Sequence, residues 1–334
     1  MFSLPDACHS LNIPQYLANP SKRIAGISID TRTLKPGDFF IALSGRVSDG
    51  NQYLEEAFRK GASGALLNET GFERNKESFL SRPELFHNLL PVTHPERTLT
   101  ALADWHRRKF KIPVIGITGS VGKTTTKEFL YFLLKQKGPG LANQGNLNNH
   151  IGVPMTLLRL EALHEFCVCE LGANHQGEIR ELSKLLQPTD AILTLVSPAH
   201  LEGFGSLENI YAAKLEILES LPPQATLVLP DDDEYLIKTA CKSKRNVRLV
   251  GFSAKADYRL SQVECRENRV QFCVNARYCF NFPGSASFFV MNAAMALALV
   301  DSLGYPLQEI PSTWDGLVCI RGGSSGKPCR TVSV

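Results

Sequence analysis

Ile115-Gly116-Ile117-Thr118-Gly119-Ser120-Val121-Gly122-Lys123-Thr124-Thr125-Thr126 is the stretch whose reading decides the fold. The apolar run from Ile112 to Ile117 that enters it reads as a buried strand. After it, Phe129, Leu130, Leu133 and Leu134 fall on one face of a helix. Strand, glycine-rich turn, Lys-Thr and helix is the layout of a phosphate-binding loop. Glycines let backbone N–H groups close around anionic oxygens, and the helix N-terminus adds its positive dipole end. Lys123 would reach the terminal phosphates, and the Thr124 hydroxyl would ligate Mg²⁺. The spacing is shorter than the commonest pattern, because Ile117 stands where that pattern has its first glycine and Gly119 takes over. A glycine-rich helix entry without a ligand is the bland alternative, and the agreement of strand, loop and helix argues against it.

The chain has 334 residues, enough for two or three domains, with 43% hydrophobic and 21% charged content. A net charge of +3 and the lack of a basic run with interleaved aromatics give no warrant for nucleic acid as a partner. The first residues do not read as a leader peptide, and no apolar run reaches membrane-spanning length, so export is not expected. Nine cysteines occur, an odd number with no C-x-x-C pair. Cys167 and Cys169 share one face of a predicted buried strand. The expectation is a cytoplasmic chain with free thiols and no cysteine metal site.

Outward from the loop, the sequence divides into an N-terminal unit (1–85), a central unit (86–310) and a structureless tail (311–334). The first reads as small α/β: strands over Arg23–Ile29, Phe39–Leu43 and Ala65–Leu67, with a helix over Asn51–Lys60. Asn68 to about Leu90 is polar and weakly periodic, and marks the boundary. Further on, strands over Phe166–Leu171, Ala191–Val196, Ala225–Leu229 and Val247–Val250 alternate with helices. That alternation predicts an α/β fold with a mostly parallel sheet covered by helices on both faces. Asp257–Phe282 changes to short antiparallel strands, and Phe288–Leu303 is an alanine-rich helix. The segment from Arg321 to Arg330 reads as disordered.

Ligands of such sheets bind beyond the strand C-termini. Glu170 ends one strand and His200 follows another, so with Lys123 and Thr124 they specify an ATP–Mg²⁺ site. Four asparagines between Asn143 and Asn149 (the others are Asn146 and Asn148) suit a polar substrate, although asparagine is also an ordinary turn residue. Lys214 reads from spacing alone as a solvated helix lysine.

Four blocks carry a resemblance: GSVGKTTTKE from Gly119, GNLNNHIGVP from Gly145, ELGANHQGEI from Glu170 and AHLEGFGS from Ala199. Together they resemble the Mur ligases of peptidoglycan synthesis. Within that family the ELGANH block is similar to the branch that joins D-alanyl-D-alanine to UDP-N-acetylmuramoyl-tripeptide. Asp30-Thr31-Arg32, with Lys35–Asp38 and Ser48–Gly50, resembles the family's uridine-nucleotide-binding domain. The resemblance implies ATP and Mg²⁺ as cofactors, an acyl-phosphate intermediate and a monomer. It implies nucleotide contacts from Gly119, Ser120, Val121, Gly122, Lys123, Thr124, Thr125 and Asn292, although the family's usual His-Asn pair before that asparagine is Phe288-Phe289 here. Thr124 and Glu170 would serve one metal; His200 and a carbamylated Lys214 would serve a second. Lys123, His200 and Lys214 would be catalytic. Substrate contacts would come from Asp30, Thr31, Arg32, Asn146, Asn148, Asn149, Asn174 and His175. The family's C-terminal dinucleotide-fold domain finds no match, which leads to an expectation of nucleotide binding with impaired ligation. A sister ligase adding the third amino acid and a non-catalytic nucleotide-binding remnant are the alternatives.

Overall fold

The structure is a computed structural model that describes His9 and residues 24–45, 48–198, 201–284, 286–315 and 317. Its contacts form two compact units. One holds residues up to Lys111 together with His150–Ala162, and the other holds Ile112–Asn149 and the chain from Leu163 on.

The first unit is built on a parallel sheet in the order β1-β2-β3-β4, from β1 (Gly26–Ser28), β2 (Asp38–Ile41), β3 (Gly64–Asn68) and β4 (Leu89–Val92). Helix α1 (Leu54–Arg59) and helix α2 (Glu69–Leu80) pack on it through Leu54, Ala57 and Phe79, against Phe40, Leu67 and Leu89. The polar stretch after Asn68 is therefore no linker. Asn68 caps α2 by accepting from Gly71 N–H at 2.6 Å, and β4 completes the sheet. Helix α3 (Pro95–Arg107) buries Leu99, Leu102 and Ala103, and the helix Gly152–Leu157 packs against it. The unit thus runs past the expected break at residue 85 and takes in a second segment.

The second unit carries a nine-stranded sheet. Its strands are β5 (Val114–Thr118), β6 (Gly140–Ala142), β7 (Phe166–Glu170), β8 (Asp190–Leu193), β9 (Thr226–Pro230), β10 (Asn246–Gly251), β11 (Tyr258–Arg266), β12 (Arg269–Val274) and β13 (Tyr278–Pro283). The order is β13-β12-β11-β10-β9-β8-β5-β7-β6, parallel from β11 to β6 and antiparallel across β11-β12-β13. Strand β5 is buried along its whole length. Ile115 and Ile117 point into a core shared with Phe129 and Leu133 of helix α4 (Lys123–Lys135), whereas a Cβ on Gly116 would meet Ile217 and Leu186 on the opposite face. Helices therefore cover both faces, as the run of apolar residues predicts.

Two expectations change. The tail does not begin at 311: Trp314 is 1% exposed, stacks on Phe282 at 5.9 Å and donates from its indole N–H to Pro311 O at 2.8 Å. Phe129, Phe272 and Phe280 also surround it. Residues 318–334 lie outside the described residues. The thiols are not all free either. Cys273 and Cys279 stand opposite each other across β12 and β13 and are joined by a disulfide, a pairing set by hairpin register rather than by spacing. Cys167 and Cys169 are buried on one face of β7, their sulfurs 3.8 Å apart and outside any disulfide. Trp314→Ala should lower the unfolding free energy by about 3–5 kcal/mol. A urea midpoint unchanged by this substitution would place the indole outside the working core.

Candidate functional site

The loop after β5 takes its shape from two glycines in positions that other residues resist. Gly119 has φ +142° and a Cβ there would lie 2.1 Å from Thr194 Oγ1. Gly122 has φ +90° and a Cβ there would lie 2.3 Å from Asn292 Nδ2. Between them, Ser120 N–H and Val121 N–H donate to Leu195 O at 2.8 and 3.3 Å, and Ser120 Oγ donates to Ser197 O at 3.0 Å. The loop is thus strapped to the end of β8. Helix α4 starts at Lys123, so the N–H groups of its first turn have no acceptor within the helix. The Lys123 ammonium folds back and donates to Ser120 O at 3.0 Å. Burial lowers its pKa, and the charge of Glu170 opposes that shift.

Glu170, the last residue of β7, is 2% exposed. Thr124 Oγ1 donates to its Oε2 at 2.6 Å, and Asn148 Nδ2 donates to its Oε1 at 2.8 Å. Asn143, read in the sequence only as one of the turn's four asparagines, clamps the same residue through its backbone. Its Oδ1 accepts from Glu170 N–H at 2.9 Å and its Nδ2 donates to Glu170 O at 3.1 Å. Lys127, on the buried side of α4, donates to Asn143 O at 2.7 Å. The asparagine-rich turn is therefore anchored to the strand end that carries Glu170. Asn148 faces the carboxylate, whereas Asn146 and Asn149 are exposed. Asn292 lies on helix α8 (Phe289–Ser302), and its Nδ2 donates to Thr126 Oγ1 at 3.0 Å and to Gly122 O at 3.3 Å.

A second cluster follows β7. Asn174 and His175 are exposed, and their N–H groups donate to Glu178 Oε2 at 2.7 and 3.3 Å. Helix α5 (Glu178–Leu186) begins at Gly177, and the buried carboxylate of Glu216 accepts from Gly177 N–H at 2.7 Å and Arg180 N–H at 3.0 Å. Glu216 sits two residues beyond Lys214, which lies in the last turn of helix α6 (Leu207–Leu215). Lys214 is no solvated lysine. It is 3% exposed, and its ammonium lies 5.3 Å from the Phe204 ring. Burial, with Lys123 nearby, pushes its pKa down to about 8, against the pull of Glu178 and Glu216. His200 lies outside the described residues. Helix α7 (Glu234–Lys242) and helix α8 (Phe289–Ser302) complete the helices named here.

Asp30, Thr31 and Arg32 belong to the other compact unit. The Asp30 carboxylate accepts from Arg32 N–H at 2.9 Å and Nε at 3.0 Å, and the guanidinium's hydrogen bond holds its pKa below the usual carboxylate value. Thr31 is buried and its carbonyl accepts from Lys60 Nζ at 2.9 Å, so the turn is a rigid one with the Arg32 side chain 86% exposed.

The Lys214 shift has a testable sign. Its folded pKa lies below the unfolded one, so the folded state is penalised while both states carry the proton and gains stability as pH rises from about 8 towards 10.5. Lys214→Met should therefore stabilise the protein by roughly 1–3 kcal/mol at pH 7. The gain should shrink at pH 9.5, read from urea unfolding at both values; a gain independent of pH would rule out a buried ammonium.

Residues 117–300 match the Mur ligase middle domain. The chain is 34% identical over 304 residues to the UDP-N-acetylmuramoyl-tripeptide–D-alanyl-D-alanine ligase of Escherichia coli K12, covering 89% of this chain and 64% of that protein. Among solved structures it resembles MurF from Acinetobacter baumannii, with TM-score 0.78 and 31% identity over 92% of this chain and 66% of that one. It also resembles MurF ligase from Thermotoga maritima in complex with ADP, with TM-score 0.70 and 30% identity over 84% and 64% of the two chains. The chain thus spans slightly less than two thirds of the length of these relatives. With the middle-domain match covering more than half of its residues, the chain belongs to the Mur ligase family.

Proposed function

We propose that this chain binds ATP and Mg²⁺ in the phosphate loop and takes part in joining D-alanyl-D-alanine to UDP-N-acetylmuramoyl-tripeptide, in the cytoplasm and as a monomer. The observation that carries the ATP reading is the convergence of Thr124 Oγ1 on the buried Glu170 carboxylate, 2.6 Å apart, beside Lys123. The choice of D-alanyl-D-alanine rests on the likeness to the E. coli and A. baumannii proteins.

The chemistry asks little covalent work of the protein. The terminal carboxylate of the tripeptide attacks the γ-phosphorus of ATP, the bond to ADP breaks, and an acyl phosphate forms. The amine of D-alanyl-D-alanine then adds to the acyl carbon, and the tetrahedral adduct expels phosphate as the amine loses its proton. Lys123, turning from Ser120 O to the γ-phosphate, would balance charge on the transferring group, and the N–H groups at the start of α4 would hold the phosphates in line. Hydroxyl and carboxylate oxygens are the hard donors that Mg²⁺ prefers, so Thr124 and Glu170 fit it. When bound, the ion would screen the phosphate charges.

Lys214 fits a second role. A lysine with a pKa near 8 is partly neutral at physiological pH, and the neutral amine can add to CO₂. The resulting carbamate would give Lys214 oxygen donors for a second metal. Asn146, Asn148, Asn149, Asn174 and His175 lie around the loop and the β7 end as candidate contacts for the tripeptide. Asp30, Thr31 and Arg32 would meet the uridine nucleotide.

Calorimetry should show MgATP binding that weakens at least tenfold in Lys123→Ala and in Glu170→Ala. Incubation with ATP, the tripeptide nucleotide and D-alanyl-D-alanine should give ADP, phosphate and the pentapeptide nucleotide by mass spectrometry, and none without the tripeptide. A chain that binds neither ATP nor the tripeptide nucleotide would end this reading.

A further inference from the structure

Lys127 is 1% exposed, the most buried cationic side chain among the described residues. A helix position that faces the interior ordinarily takes an apolar residue, because an ammonium withdrawn from water is costly unless it is paired. The paired carboxylate, Glu128 Oε1 at 3.0 Å, belongs to a side chain that is 49% exposed. The buried hydrogen bond of the ammonium goes to Asn143 O at 2.7 Å. Packing alone would be served better by leucine, so the reason for a lysine lies in what that bond holds.

Asn143 is also 1% exposed. Its side chain brackets the backbone of Glu170, accepting from the N–H and donating to the carbonyl. Its Nδ2 donates as well to Leu147 O at 2.9 Å, which sets the turn from which Asn148 reaches Glu170 Oε1. Lys127 stands three residues after Thr124, on the same side of α4. The helix therefore grips Glu170 twice. Thr124 meets the carboxylate directly, and Lys127 holds the backbone beneath it through Asn143. These bonds close a frame of α4, Asn143 and the β7 end. A shift at the Lys127 corner moves the Glu170 oxygens relative to the Thr124 hydroxyl.

We propose that Lys127 is a positioning residue for the metal: through Asn143 it sets the Glu170 carboxylate against Thr124, and so tunes Mg²⁺ affinity without touching the ion or the nucleotide. The inference rests on the ATP–Mg²⁺ reading above and adds the residue that holds the ligand pair in register. Mg²⁺ demands near-octahedral oxygens at short range, so a small displacement of one ligand is felt. Groups that orient metal ligands from behind are worth about 10–100-fold in metal affinity.

Titration calorimetry tests this with ATP in EDTA and with ATP over a Mg²⁺ series, on the unaltered chain, Lys127→Met and Asn143→Ala. In both variants the Mg²⁺ concentration that gives half-maximal tightening of ATP binding should rise about tenfold. Metal-free ATP should bind them as tightly as it binds the unaltered chain. Added to Glu170→Gln, Lys127→Met should raise the Mg²⁺ requirement no further, because its effect passes through that carboxylate. Equal losses with and without Mg²⁺ in both variants would make the pair a support of the loop as a whole and overturn the proposal. An unchanged Mg²⁺ requirement, or full additivity with Glu170→Gln, would overturn it too. ATP binding by the unaltered chain that ignores Mg²⁺, or a Mg²⁺ requirement indifferent to Glu170→Gln, would instead remove the ATP–Mg²⁺ reading and this proposal with it.

Discussion

A carboxylate buried at a strand end must be met by donors, and at Glu170 these come from separate stretches of chain. Thr124 reaches it from α4, Asn148 from the asparagine-rich turn, and Asn143 binds its backbone on both sides. Leaving such a group unpaired costs several kcal/mol, which is why its surroundings are specified so closely. The donors found are neutral, so the negative charge is hydrogen-bonded but not cancelled. The ammonium of Lys123 feels that charge without contacting it. The polar end of β7 thereby fixes where α4 begins, where the turn folds down, and where a cation would be most welcome.

Much of this was legible in the sequence. The apolar run from Ile112 reads as an interior strand, and Val114–Thr118 form one, with Ile112 and Pro113 outside it; the glycine spacing after it matches the φ values found at Gly119 and Gly122. The alternation of apolar strands and helices gave the parallel sheet, and the change of rhythm after Asp257 gave the antiparallel edge. Four features were hidden for physical reasons. Strand β4 is short and preceded by a helix whose surface is polar, so its boundary looked like a linker. Trp314 is an isolated aromatic among Pro, Ser and Asp, and nothing periodic announces that it plugs a core. The Cys273–Cys279 pair depends on hairpin register. Lys214 reads as solvated because lysine usually is, and only tertiary packing buries it.

The same limits apply to the site. Lys123, Thr124 and Glu170 could be placed because each stands at a junction of strand and loop. Asn143 escaped because its work is done against backbone atoms, which leave no mark in a side-chain pattern. Glu216 escaped likewise. Its carboxylate closes the start of α5 from a segment some forty residues later, and so ties the loop carrying Asn174 and His175 to the helix that ends with Lys214.

The strap from Leu195 O to Ser120 N–H and Val121 N–H has a consequence for how an anion is received. Those two amides are engaged before any ligand arrives, so they are not the groups that greet a phosphate. The loop is held open by its own sheet rather than moulded by what enters it. Little chain entropy remains to be lost on binding, so more of the contact energy can appear as affinity. Pre-organisation of this kind makes the loop a stiff receptor whose geometry is inherited from the neighbouring strand, and a change at Leu195 would be felt by a phosphate it never touches.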